Sequence, residues 1–178
     1  MMTKEDFYSL TVLDIYGRKV KLDTFREKVC IIVNLESLDG LATQTLLRLK
    51  HFKEEDFNNV FEILVFPIAD YLRSEQTRRI VLKDFFKPYT PELHLFDCIS
   101  ISKGHPLFEY LYSCNKGWKG NELRYNFTKF VVYRGEVIHT YKPNEIPLHS
   151  DKELKMFHQK KKVEINNQPE SEPENDFY

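Results

Sequence analysis

The sequence predicts an α/β fold, a mixed central sheet flanked by helices and preceded by an N-terminal β-hairpin. Three observations carry that prediction. Two apolar runs, "KVCIIVNL" and "FEILVFP", lack polar alternation and so read as strands buried on both faces. A stretch with helical spacing separates them, which makes a βαβ unit with a right-handed crossover. Further on, "FTKFVVYRGEVIHTY" alternates around Gly135, the pattern of an antiparallel hairpin.

Taken in order, "FYSLTVLDIYGRKVKLDTF" reads as two short strands turned at Gly17. Leu46, Leu47, Leu49 and Phe52 recur at helical spacing over residues 43–55. Pro67 closes the second buried strand, and a helix is expected over 74–86, ended by Pro88 and Pro91. "LHLF" reads as a short strand or loop. "HPLFEYLYSC" reads as a helix with Pro106 at its first position. Ser150 is expected to cap a final helix, in a capping box with Glu153. The order β-β-β-α-β-α-α-β-β-α makes three layers.

Composition narrows the function classes. Lys and Arg number 26 against 27 Asp and Glu, so no global basic footprint points to nucleic acid. The longest apolar runs are strand-length, which predicts no membrane span. "MMTKEDFYSL" lacks the apolar stretch of a signal peptide, so an intracellular protein, cytoplasmic or organellar, is expected. Cys30, Cys98 and Cys114 form no metal or disulfide spacing; Cys30 reads as a buried small hydrophobe. No cofactor and no metal site is expected. Residues 1–163 read as one domain and 164–178 as an acidic tail with the composition of an unstructured segment. "HQKKK" before it reads as a solvated helix end. The tail and the lone Trp118, in the loop "NKGWKGNE", are the expected protein-contact surfaces.

The stretch "VNLESLDGLATQ", Val33 to Gln44, breaks from an apolar strand through a Gly-containing turn into a helix, a favoured place for a reactive site. Together with "FEILVFP", "HPLF", "YNFTKFVV" and "YKP", in that order over residues 5–160, it resembles the glutathione peroxidase family. The resemblance implies a thioredoxin-like fold. It also aligns Asp39 with the family's reactive cysteine or selenocysteine, and Asp70 with the Gln that hydrogen-bonds near the sulfur. Tyr125 stands at the family's Trp, and only Asn126 matches among the four site positions. Leu72 replaces a motif glycine, and no resolving cysteine lies on the helix after "FP". A carboxylate is a hard, weak nucleophile toward peroxide and has no thiol-reducible cycle. The resemblance therefore implies a protein without the family's reaction, retained as a structural or interaction subunit. The alternative is a thiol-dependent peroxidase using a displaced cysteine, Cys98 or Cys114. A third reading pairs Asp39 with Asp70 as a divalent-cation or proton-sharing site, against a plain reading as polar surface residues compensated by Arg73. His94 invites a ligand reading, His105 a structural one, and His139, His149 and His158 show no ligand spacing.

Overall fold

The computed structural model describes residues 3–35, 38, 40–68, 74–100, 104–114 and 127–158. Its first element corrects the sequence reading. Lys4–Ser9 is a helix, α1, not the start of a strand. Thr3 accepts from the Asp6 N–H at 3.3 Å while the Asp6 carboxylate accepts from the Thr3 N–H at 2.6 Å. This reciprocal cap, together with burial of Phe7 and Tyr8, outweighs the strand preference of "FYSLTV". The hairpin follows, shortened to β1 (Thr11–Leu13) and β2 (Lys19–Lys21). Gly17 turns it at φ +80°, and Asp14 accepts backbone bonds from Tyr16 and Arg18.

The buried runs become β3 (Val29–Leu35) and β4 (Phe61–Pro67), parallel and joined by α2 (Gly40–Glu54). The helix begins three residues earlier than its apolar periodicity suggests, at Gly40. After β4 come α3 (Glu75–Phe86), capped by Ser74, then the two-residue β5 (His94–Leu95) and α4 (Pro106–Cys114). "LHLF" thus supplies a strand, parallel to β4. β6 (Lys129–Tyr133) and β7 (Glu136–Tyr141) form the expected hairpin. Its turn residues Arg134 and Gly135 both have positive φ, 50° and 75°, and a side chain at 135 would strike the Lys4 carbonyl. A final helix, α5, spans 152–158. Asp151, not Ser150, directly precedes it, and the Asp151 carboxylate accepts from the Tyr141 hydroxyl and the Leu148 N–H.

The sheet order is β5-β4-β3-β6-β7, with β6 antiparallel to β3, so the sheet is mixed as predicted. β3 alternates between two cores. Val29, Ile31, Val33 and Leu35 join Leu46, Leu82, Phe86, Leu154 and Phe157 from α2, α3 and α5. Cys30 and Ile32 join Phe7, Val12, Leu107 and Leu111 from α1, the hairpin and α4. The strand is therefore apolar throughout because both faces are covered.

Candidate active site

The carboxyl ends of β3 and β4 form the edge where open α/β sheets place ligands. Four chain segments are tied together there. Leu35 pairs with Pro67 in register, and its carbonyl accepts from the Ile68 N–H at 2.5 Å. Phe127 donates to the Asn34 carbonyl at 3.0 Å, and Ile99 to the Pro67 carbonyl at 2.9 Å. α2 starts from the same edge, at Gly40. Asp39, Asp70, Tyr125 and Asn126 lie outside the described residues, as do Arg73, Trp118 and the 164–178 tail. Of the described residues, Leu38 and Gly40 flank Asp39, Ile68 stands two residues before Asp70, and Phe127 directly follows Asn126.

Asn34 forms the floor of this edge. It is fully buried, and neither amide atom has a hydrogen-bond partner among the described residues. A buried amide left unpaired costs about 1–3 kcal/mol. Asn34→Leu, close in shape and without polar atoms, is expected to leave the melting temperature unchanged or raised. A fall would mean that a bound water satisfies the amide.

A family model described as glutathione peroxidase matches residues 7–112. The chain belongs to the glutathione peroxidase family. It is 31% identical over 151 residues to phospholipid hydroperoxide glutathione peroxidase 1, chloroplastic, of Arabidopsis thaliana, covering 83% of this chain and 64% of that protein. To the phospholipid hydroperoxide glutathione peroxidase of Bos taurus it is 30% identical over 155 residues, covering 84% of this chain and 79% of the relative. Among solved structures, Trgpx in apo form superposes with a TM-score of 0.60 at 21% identity, over 90% of this chain and 96% of that one. The bacterioferritin comigratory protein of Xanthomonas campestris gives 0.56 at 13% identity, over 88% and 95%. These neighbours share the thioredoxin-like fold.

Three cysteines remain as the thiols of this family member. Cys30 is buried in β3, and burial, then the Glu62 charge, pushes its thiol well above the ordinary range. It is inert as a nucleophile. Cys98 is half-buried one residue before Ile99, and its N–H donates to Asp97, whose carboxylate faces Arg78 and Arg79 at 3.6 and 3.8 Å. Cys114 ends α4 beside Tyr110, whose hydroxyl donates to the Gly135 carbonyl in the β6–β7 turn.

Sequence reasoning passed over Lys129, the lysine inside the family-like "YNFTKFVV". It pairs with Val33 in register and is fully buried. Its ammonium donates to the carbonyls of Pro143 and Glu145 at 2.8 and 2.7 Å, and more weakly to Lys142 at 3.4 Å. Burial pulls its pKa down to about 8, with the Glu145 charge opposing and Arg48 adding. The available signal was a single lysine in an otherwise apolar strand.

The histidines sort by geometry. His94 is engaged by a carboxylate rather than free as a ligand: its Nε2 lies 2.8 Å from Glu62 near the start of β4, far along the strand from Pro67. Burial opposes ionisation of Glu62, but the His94 hydrogen bond and the Lys53 and Lys28 charges together hold its carboxyl below the usual range. His105 directly precedes Pro106, the first residue of α4, and burial lowers its pKa against the pull of Glu109. His149 and His158, nine residues apart, meet at 2.8 Å. Among the described residues no group of three or more His, Cys, Asp or Glu is arranged to hold a metal, and no helix is long and apolar enough to cross a membrane.

Proposed function

We propose that this chain is a catalytically inactive member of the glutathione peroxidase family, kept as a structural or interaction subunit of a larger assembly. One observation carries the reading: Asp39 occupies the sequence position of the family's reactive sulfur or selenium. Reduction of a peroxide needs a polarisable nucleophile whose oxidised form a second thiol can reduce, and a carboxylate satisfies neither requirement. Asp70 in place of the motif Gln, and Tyr125 in place of Trp, remove the groups that surround the sulfur. The domain of 1–163 would then present the Trp118 loop and the 164–178 tail as its contact surfaces.

A glutathione- or thioredoxin-dependent peroxidase using Cys98 is the second reading. It is favoured by one placement: Cys98 precedes Ile99, which bonds to the end of β4. The names of the relatives, phospholipid hydroperoxide glutathione peroxidases, belong to that reading too. The test is a coupled assay of the purified protein with hydrogen peroxide and with a phospholipid hydroperoxide, using glutathione and then thioredoxin. No turnover above the protein-free rate is expected. Turnover abolished by Cys98→Ser would replace the first reading by the second. In native extract the protein is expected to elute as an assembly larger than its own 21.3 kDa.

A further inference from the structure

His149 lies in the loop before α5 and His158 at the end of that helix, yet the fold places their rings together. His149 Nε2 stands 2.7 Å from the Phe52 carbonyl, and His149 Nδ1 stands 2.8 Å from His158 Nε2. A carbonyl only accepts, so His149 carries its proton on Nε2. The neutral ring then has only a lone pair at Nδ1, so His158 must donate from its own Nε2. A directional chain of hydrogen bonds thus runs from α5 through His149 to the last turn of α2, where carbonyls lack intrahelical partners. The His149 ring also lies flat on Phe52, with centroids 3.9 Å apart and planes 5° from parallel. No third metal-ligating group is clustered with the pair among the described residues, so the species shared between the rings is a proton.

We propose that the His149–His158 pair is a proton-operated latch that holds α5 to α2 at neutral pH and releases it in mild acid. A proton added to His149 Nδ1 would set two N–H groups facing each other across 2.8 Å. A proton added to the other ring nitrogen of His158 leaves a half-buried cation between the Phe61 ring and His149. The charged groups around the pair do little to welcome it. Asp56, in the turn after α2, favours the cation, but its carboxylate already accepts from the Val60 and Phe61 N–H groups and faces Lys53 at 3.4 Å. Arg48 and His51 of α2, with Glu55 just after it, line a cavity of about 290 Å³ beside His149. Asp151 is engaged by Tyr141 and Leu148. Burial, then the His149 charge, lowers the pKa of His158 against the pull of Asp56. A histidine depressed in the folded state stabilises it fully above the unfolded pKa, about 6.5, and loses that contribution as pH falls below.

The experiment combines imidazole nitrogen NMR with amide hydrogen exchange on the full chain. At pH 7.5 both rings are expected to be Nε2–H tautomers. Between pH 7.5 and 5.5, protection of the α5 amides, corrected for intrinsic exchange, is expected to fall about fivefold, the scale of one hydrogen bond. Protection of the β3 amides should hold, marking the opening as local. His158→Gln, whose amide can donate or accept without titrating, should keep α5 protection flat across that range. An Nδ1–H tautomer on His158 at pH 7.5, pH-independent α5 protection, or an equal fall in the variant each overturns the latch. The tautomer measurement uses the unaltered protein and stands even where the variant fails to fold.

Discussion

Asp39→Cys is expected to raise hydrogen peroxide consumption above that of the unaltered protein. Residue 39 directly precedes α2, a helix of 15 residues, so a thiol there would meet the positive end of the helix dipole. That field lowers a thiol pKa from about 8.5 and raises the thiolate fraction at neutral pH. The gain would be partial, because Asp70 and Tyr125 stand where the family has Gln and Trp; adding Asp70→Gln should raise it further. A peroxide-consumption rate at least about tenfold above the unaltered protein, with a trappable sulfenic acid at residue 39, is the anticipated result. An unreactive thiol at 39 would show that the turn no longer holds a peroxidase geometry, whatever residue occupies it.

Lys129→Ala is expected to destabilise the fold by about 3–5 kcal/mol, measured by denaturant unfolding. The substitution empties a fully buried site and strands the carbonyls of Pro143 and Glu145 that the ammonium holds. Lys129→Met separates the two effects, since it keeps the apolar stem and removes only the amine. The pH dependence has a definite sign. The folded pKa, about 8, lies below the ordinary lysine value of 10.5, so between those limits the unfolded chain holds a proton that the folded chain has released. Stability from this group therefore rises with pH across that window, by an amount on the order of 3 kcal/mol. Relative to Lys129→Met, which cannot titrate, the natural protein should gain stability from pH 7.5 to pH 10. A constant offset between the two at both pH values would contradict a buried, readily neutralised amine.

Much of the architecture was legible before any coordinates. The two apolar runs could be satisfied only by strands covered on both faces, and β3 contributes to both cores. The hairpin at Gly135 announced itself by alternation, and its turn demands positive φ. Errors arose at element ends, where a cap competes with local propensity. Thr3 and Asp6 pull "FYS" into a helix, and Asp151 rather than Ser150 precedes α5. Such contests are decided by one or two hydrogen bonds, too little to register in a periodicity.

Family membership was written in the sequence alone, because the order of motifs along a chain is a one-dimensional fact. Only the tertiary structure decided which polar side chains are buried and whom they meet. Asn34 is enclosed with its amide unpaired among the described residues, Lys129 reaches three carbonyls more than ten residues away, and His149 bonds His158 across a loop and a helix. Each depends on desolvation and on contacts between distant segments. Those energies exist only once the chain has closed, so no spacing along it could announce them.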